Sequence, residues 1–322
     1  MLPNGQEKNE EDDEEESGEP VLDHDEETFE SAIDPADLVE LGFDDEEGEE
    51  EGEEDEEEEE EEGEEGEPAA ASATPKAKAK KSSKKGEEDE DELPEFPDTP
   101  VPTKKVMLNA LEWAFSGEDN VPDGMLEKFA NHALLLLTTN RELNITAILD
   151  PKEIAAKHYL DSWRLTKLLP LMAKTVLDLG SGGGFPGIPL AIAEPELSMV
   201  LCESRRKKAA YLESAVKKVG LTNVRAVHAR AEEWLVDEKV NMVIIRDVSS
   251  VRENIRTLRK VRHSLRDLVM IKGNSWSREL RAAEREAERL GFRLDTVWEH
   301  DLPEDMGHRV VLVYRAPGGM GR

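Results

Sequence analysis

The stretch "TVLDLGSGGGFPGIPLAI" (Thr175–Ile192) decides the fold class of this chain. A short apolar run leads to Asp178, and four of the six residues that follow it are glycines. Pro186 and Pro189 then bracket a fifth glycine, in positions that suit the first turn of a helix. In open parallel sheets, ligands bind where strands end, and glycine lets a ligand approach the backbone closely. We therefore predict a strand, a ligand-binding loop and a helix.

The negative charge of the chain is concentrated in its first third. Residues 1–104 contain 45 of the 75 acidic residues and eight of the 41 basic ones, whereas 105–322 carry a net charge of +3. Since this acidic segment has little apolar surface to bury, we predict that it is a disordered tail. Its basic island "TPKAKAKKSSKK" (Thr74–Lys85) is either a solvated linker or an RNA-touching arm. Its apolar patch "DPADLVELGF" (Asp34–Phe43) is either a transient helix or a docking motif.

Several classes of protein are disfavoured by the composition. The chain has no run of eighteen apolar residues, so we predict no membrane span. The N-terminus resembles neither a signal peptide nor a transit peptide. The single cysteine, Cys202, rules out an intramolecular disulfide and fits a reducing cytoplasm. No Cys/His cluster has metal-ligand spacing, so we expect no metal. We expect a cytoplasmic monomer that does not bind membranes.

Hydrophobic periodicity divides the remaining chain into two parts. Apolar residues at helical spacing over 106–115 and 125–137, and a further helix opening near Pro151, predict a helical cap over 105–170. Short β-branched runs then alternate with helical stretches, which predicts an α/β, Rossmann-like domain over 171–316 with a mostly parallel sheet. Two late runs without a helix between them predict an antiparallel pair, and 317–322 is predicted to be a flexible C-terminus. The predicted strands are 174–179, 198–202, 223–228, 240–245, 267–271, 292–299 and 308–315.

The ligand of the glycine loop is inferred from its charge. Gly182, Gly184 and Gly187 match G-x-G-x-x-G, a pattern of dinucleotide-binding sites and hence of an oxidoreductase. However, Asp178 would repel a pyrophosphate, and the proline-rich helix entry offers few free amides to a phosphate. A cationic ligand without phosphate, such as S-adenosylmethionine, fits better.

Two further acidic positions follow strands at the same predicted edge. Glu203 ends the second strand, where an acidic residue commonly binds ribose hydroxyls. Ala231 and Glu232 follow the third strand, and we predict that they lie beside an adenine edge. The alternatives are a surface acid for Glu203 and, for Glu232, a first-turn acid favoured by the helix dipole.

Several motifs over roughly 107–316 resemble the bacterial small-subunit ribosomal RNA guanine-N7 methyltransferases, a family also called glucose-inhibited division protein B. The resemblance implies a class I methyltransferase fold with a helical cap and S-adenosylmethionine as methyl donor. It also implies N7 of a guanine in the decoding-region loop of 16S rRNA as acceptor, with 16S rRNA or the small ribosomal subunit as partner. The matching motifs are "DLGSGGGFPGIPLAI", "NITAILDPKEIAAKHYLDS", "RAEEW", "IIRDV", "IKG" and "GHRVVLVYR".

The resemblance also implies a set of site residues. The acidic tail lies outside the family pattern, and so does Asp247, which stands where a small residue is expected after the arginine. The residues that match the family's cofactor, active-site and usual acidic positions are Asp178, Gly180, Phe185, Glu203, Ala231, Glu232 and Arg246.

Transfer to N7 agrees with the residues at the predicted strand ends. The N7 lone pair is already free, so the enzyme needs positioning rather than a nucleophile or a base. Arg246 ends the fourth strand, and we predict that it contacts guanine O6 or a phosphate. Lys272 is a weaker phosphate candidate, and Arg309 matches the family's last strand and is a candidate for RNA binding. We interpret Cys202 as a core residue and His158 as a helix-packing residue rather than a catalyst.

The sequence does not single out one RNA-binding surface. The basic clusters Arg205–Lys208 and Arg252–Arg266 face either phosphates or water, and the acidic tail is a candidate internal competitor for the basic surface. One alternative function is methylation of RNA at another atom. Another is a non-catalytic ribosome-assembly protein, against which the intact Asp178, Glu203 and glycine loop argue.

Overall fold

The structure, a computed structural model, describes residues 98–317. The basic island, the apolar patch and the rest of 1–97 lie outside the described residues, as do 318–322. The end of the predicted disordered segment is ordered, because Thr99 is buried and its carbonyl accepts a 3.0 Å hydrogen bond from Arg141 Nε. Ordered structure is therefore already present ahead of the predicted boundary at 105, since the second helix of the cap binds this short stretch.

Helices form the predicted cap ahead of the sheet. Thr103 caps the first helix by accepting a hydrogen bond from the Val106 amide. Asp150 caps the third helix, and Pro151 occupies the first turn, where a missing N–H costs nothing. The cap elements are α1 (Lys104–Ala114), α2 (Met125–Leu143), α3 (Pro151–Ile154), a π-helical segment (Ala155–Leu160) and α4 (Asp161–Leu168).

A seven-stranded sheet with the order β3-β2-β1-β4-β5-β7-β6 follows the cap. Strands β1 to β5 are parallel, and β7 is antiparallel to both of its neighbours. The strand order reverses between β1 and β4, which creates a switch point at their carboxyl ends. The strands are β1 (Thr175–Leu179), β2 (Ser198–Glu203), β3 (Val224–His228), β4 (Val240–Arg246), β5 (Leu265–Lys272), β6 (Arg293–Asp301) and β7 (His308–Arg315).

The connecting helices lie on both faces of the sheet, as strand–helix alternation predicts. A capping box formed by Ser250 and Glu253 begins α8, and Gly291 ends α9 in the left-handed conformation. This topology confirms the predicted class I methyltransferase fold. Within residues 98–317, no helix is long and apolar enough to cross a membrane. The helices are α5 (Gly187–Ala193), α6 (Arg206–Val219), α7 (Ala231–Trp234), α8 (Val251–Thr257) and α9 (Trp276–Leu290).

Strand alternation separates two hydrophobic cores. On β1, Val176 packs against the cap, whereas Leu177 and Leu179 face the core that contains α8 and α9. On β4, Ile244 faces the cap and Ile245 faces the opposite side. The cap and one face of the sheet therefore share a single core. The boundary predicted at 170 separates helices from strands but not two independent cores, and the division into domains stays a prediction.

Candidate functional site

The same alternation brings three predicted site residues to one side of the sheet. Asp178 lies two residues after Val176, Glu203 two after Leu201, and Arg246 two after Ile244, so all three are on the cap side. The parallel register aligns the ends of β1, β2 and β4, because Leu179 pairs with Cys202 on one side and with Ile245 on the other. The site thus lies between these strand ends and the cap.

The glycine loop begins at this edge in conformations that favour glycine. Gly180 and Gly182 have φ angles of 74° and 53°, in the left-handed region. A Cβ at Gly180 would approach Val248 Cγ2 to 2.8 Å, so a side chain there would displace the loop after β4. Val248 itself is 46% exposed and therefore presents an apolar surface beside the loop.

Glu203 fixes the loop and the start of the next helix together. Its Oε2 accepts a 3.1 Å hydrogen bond from the Gly182 amide, and its Oε1 accepts one of 2.9 Å from the Arg205 amide. Each carboxylate oxygen still has a lone pair for a hydroxyl donor. The Glu203 carbonyl also accepts from the Ala229 amide, which brings Ala231 and Glu232, at the start of α7, to the same edge.

Asp178 lies beneath the loop rather than in the open cleft. Its Oδ2 accepts a 3.0 Å hydrogen bond from the Gly187 amide, whereas its Oδ1 is buried without a partner. Burial raises the pKa of this carboxyl to about 7, although the Gly187 hydrogen bond opposes the shift. A Cβ at Gly187 would come within 2.7 Å of Asp178 Oδ2, so only glycine allows this close packing. Asp178 therefore shapes the loop from below.

Arg246 is held on three sides by the cap and by its own strand end. Its Nη2 donates to the Lys157 carbonyl at 2.8 Å and to His158 Nδ1 at 3.1 Å. Its Nε donates to the exposed carboxylate of Asp247 at 3.4 Å. Its Nη1 is buried without a hydrogen-bond partner, 3.8 Å from Asp161 Oδ2. One end of the guanidinium is therefore fixed, and the other retains unused donors.

Asp161 joins the cap to the late strands. Its Oδ1 lies 3.2 Å from His300 Nε2, and its Oδ2 accepts from Arg309 Nε at 3.2 Å. Burial would raise the pKa of Asp161, but the His300 hydrogen bond and the charges of Arg246 and Arg309 outweigh it and lower the pKa. An ionised carboxylate is therefore stable among these cations.

The other residues predicted from the sequence, Arg309, Lys272 and Cys202, differ in their exposure and in their partners. Arg309 is 21% exposed and lies in the Asp161 network, whereas Lys272 is 10% exposed and bound to Glu279 at 2.8 Å. The Lys272 ammonium also donates to the Ser249 carbonyl, so it holds the loop after β4, and its contact with a phosphate stays a prediction. Cys202 is buried in the core, as predicted, and burial raises the pKa of its thiol to about 12.

Sequence reasoning assigned no role to Asp161 or His300 and underestimated His158. His158 packs in the cap, as predicted, but it also contacts Arg246 and stacks on Phe185. The signal for Asp161 was a lone carboxylate within the apolar helical stretch "AAKHYLDSW", where a buried charge requires a partner. Nothing local identified His300, because its partner is 139 residues away along the chain.

Comparison with known proteins places the chain in a family. A family model described as rRNA small subunit methyltransferase G matches residues 125–303, just over half of the chain. A ribosomal RNA small subunit methyltransferase G from Solibacter usitatus is 37% identical over 199 residues, which cover 60% of this chain and 91% of that relative. A protein of the same name from Clostridium novyi is 30% identical over 221 residues, covering 66% of this chain and 90% of the relative.

Solved structures of methyltransferases are also similar. A SAM-dependent methyltransferase from Aquifex aeolicus has a TM-score of 0.41 and 16% identity, covering 54% of this chain and 97% of that one. The sequence matches confirm the resemblance that the motifs indicated. The chain belongs to the rRNA small subunit methyltransferase G family.

Proposed function

We propose that this protein transfers a methyl group from S-adenosylmethionine to N7 of a guanine in the decoding-region loop of 16S rRNA. Methylation of small-subunit ribosomal RNA follows from its family. One observation carries the choice of N7. The edge beside the glycine loop holds the Arg246 guanidinium with unused donors, and the cysteine described there, Cys202, is buried and so cannot act as a nucleophile.

The described residues fit S-adenosylmethionine as the cofactor. Glu203 retains lone pairs for ribose hydroxyls, and Ala231 and Glu232 follow β3 at the same edge, where an adenine would lie. Gly180 and Gly182 leave the backbone accessible to the methionine part. The chemistry that the cofactor supplies when bound is an electrophilic methyl group on a positively charged sulfur, which a site rich in carboxylates favours.

The protein's own contribution to the reaction is positioning. Nη1 of Arg246 is buried beside Asp161 but makes no hydrogen bond, so its donors can hold guanine O6 or a phosphate that enters the cleft, through a charge-assisted hydrogen bond. N7 has a lone pair in the ring plane and no proton to lose before attack. A well-oriented pair of reactants gains several orders of magnitude in rate without further catalysis.

The protonation states of Cys202 and His158 agree with a reaction that depends on positioning. The Cys202 thiol is buried with its pKa raised to about 12, so it is not a nucleophile of the kind that C5 methylation requires. Burial, followed by the charge of Arg246, keeps the pKa of His158 well below its usual value. Its Nδ1 lies within hydrogen-bond distance of Arg246, so it is not free to take a proton from substrate.

The proposed function is tested by mass spectrometry of nucleosides from 16S rRNA. A strain that lacks the gene is compared with strains complemented by the wild type, by Gly182→Asp or by Gly117→Asp. We expect the loss of one 7-methylguanosine per 16S rRNA, restored by the wild type and by Gly117→Asp but not by Gly182→Asp. Gly182 has a positive φ and its amide binds Glu203, whereas a Cβ at Gly117 meets nothing within 4 Å.

Isolation of the decoding-region fragment before digestion assigns the modified loop. An unchanged 7-methylguanosine content in the deletion strain would show that the N7 assignment is wrong. Loss of a different methylated nucleoside would show that the protein methylates 16S rRNA at another atom than N7.

A further inference from the structure

Phe185, in the middle of the glycine loop, is enclosed by aromatic rings of the cap. Its ring centroid lies 5.3 Å from that of His132 and 5.2 Å from that of Tyr159, both in tilted or edge-on arrangements. With His158 it forms a parallel stack, with centroids 4.4 Å apart and an interplanar angle of 14°. Since Phe185 is 8% exposed, its ring cannot move without moving its neighbours. The position of the loop is therefore transmitted to His158.

His158 in turn orients Arg246, the arginine proposed to bind the substrate. Burial and the nearby Arg246 charge keep its ring neutral, so one ring nitrogen carries a proton and the other accepts. Arginine only donates, so Nδ1 accepts from Arg246 Nη2 at 3.1 Å. The proton is then on Nε2, which donates to Thr146 Oγ1 at 3.1 Å. Rotation of the ring would break both hydrogen bonds as well as the stack on Phe185.

The free end of Arg246 depends on this arrangement. The Lys157 carbonyl and His158 both hold Nη2, and they come from the same π-helical segment. Nη1 makes no hydrogen bond and pairs with Asp161 only by charge, at 3.8 Å, so its N–H donors are unused; because the atom is buried, a ligand reaches them only by entering between the cap and the end of β4. A shift of the His158 ring changes the direction in which Nη1 points, because the guanidinium is planar and rigid.

We propose that His158 is a positioning residue that couples the cofactor loop to Arg246, so that cofactor and ribosomal RNA bind with positive cooperativity. This inference rests on the proposed function. A ligand in the glycine loop holds Phe185, the stack holds His158, and Arg246 is then already ordered when RNA arrives. RNA that binds Arg246 orders the loop by the same contacts in reverse, and linkage requires that each ligand tighten the other by the same factor.

The test measures binding, not turnover. Full-length protein binds radiolabelled S-adenosylhomocysteine in equilibrium dialysis, with and without saturating 30S subunits from the strain lacking the gene. A compartment with 30S subunits alone corrects for binding to the particle. For the wild type we expect about tenfold tighter binding when the subunits are present, within the usual range of coupling between sites.

Two substitutions at His158 each remove one link of the chain of contacts. His158→Phe keeps a ring to stack on Phe185 but loses the hydrogen bond to Arg246. His158→Asn keeps an acceptor near the Nδ1 position but loses the stack. We expect the tenfold enhancement to fall to about one- to twofold in both, while the affinity for S-adenosylhomocysteine alone stays within about threefold of the wild type.

Two further variants keep the test interpretable. Thr146→Val removes the partner that orients the His158 ring and leaves the ring itself in place, so the enhancement should fall with little effect on folding. His263→Asn replaces an exposed histidine before β5, and it should retain the full enhancement.

The outcomes separate this inference from the proposed function. If the wild type binds S-adenosylhomocysteine and 30S subunits independently, or if both His158 variants retain the enhancement, the coupling is overturned and the proposed function stands. If the wild type does not bind S-adenosylhomocysteine, both are overturned.

Discussion

Among single residues, Asp178 differs most from what its position in the sequence predicts. The sequence indicated a carboxylate that faces a ligand, and the structure places it beneath the loop, hydrogen-bonded to Gly187. Burial raises its pKa to about 7, well above that of an aspartate in an unfolded chain. The folded state binds this proton more tightly than the unfolded chain does, so protonation of Asp178 adds to the free energy of unfolding. The contribution has its full size below about pH 4 and is lost as the pH rises through about 7.

Replacement of Asp178 by asparagine should remove this pH dependence. The unfolding free energy of the wild type relative to Asp178→Asn should fall by roughly 2–4 kcal/mol between pH 4 and 8, because one pKa unit corresponds to about 1.4 kcal/mol. Urea unfolding at several pH values measures the difference. Asp247→Asn is the matched control, because the side chain of Asp247 is 81% exposed. Parallel curves for the wild type and Asp178→Asn would contradict the assignment of a raised pKa.

At the scale of elements, the topology separates the first basic cluster, Arg205–Lys208, from the end of the second, Arg252–Arg266. Helix α6 begins directly after β2, so Arg205–Lys208 lies at the carboxyl edge of the sheet, beside Glu203. Helix α8 begins at the same edge but runs back across the sheet, so residues 259–266 lie at the opposite edge, where β5 begins. The sequence predicts the same role for both clusters, but in the fold residues 259–266 lie farther from the candidate site than Arg205–Lys208 do.

Charge reversal should therefore weaken RNA binding more in the first cluster than in the second. Lys207 and Lys260 are both exposed lysines, one in each cluster. We expect Lys207→Glu to lower the affinity for 30S subunits about tenfold at 50 mM salt and to flatten the salt dependence, because a phosphate contact is lost. Lys260→Glu should change the affinity less than twofold. Equal losses of affinity for the two variants in filter binding would contradict this prediction, because RNA would then contact both edges of the sheet or neither of them.

For the whole molecule, the separation of charge along the chain is the main feature. Residues 1–97 contain 44 acidic and seven basic residues, whereas residues 98–317 are nearly neutral. Such a segment repels RNA or competes with it for the basic surface, and both effects weaken as salt screens the charges. The acidic segment should thus reduce the affinity for RNA most strongly at low ionic strength.

Deletion of residues 1–97 should accordingly tighten RNA binding in a salt-dependent way. We expect about tenfold higher affinity for 30S subunits at 50 mM salt and less than twofold at 500 mM, since the Debye length shortens severalfold. The affinity for S-adenosylhomocysteine should be unchanged, and this serves as the control for folding. No gain in RNA affinity at low salt would dismiss a competing role for the segment.

Most of the architecture of residues 98–317 follows from local patterns in the sequence. Strand alternation, helical periodicity and the glycine loop are local patterns, and each predicted strand lies within two residues of its observed bounds. The placement of Asp178, Glu203 and Arg246 at one edge followed as well. Residues that end neighbouring parallel strands meet there whatever packs around them.

The contacts of these residues, by contrast, depend on parts of the chain that are far apart in sequence. The Asp161 network links residues 139 and 148 positions apart, and the Arg246–His158 hydrogen bond spans 88 positions. The π-helical segment that supplies the Lys157 carbonyl was not predicted either, because apolar residues at helical spacing indicate a helix without showing where one turn widens. Local periodicity sets which face a side chain occupies. Its partner across the core depends on how the cap, the sheet and the late strands pack together.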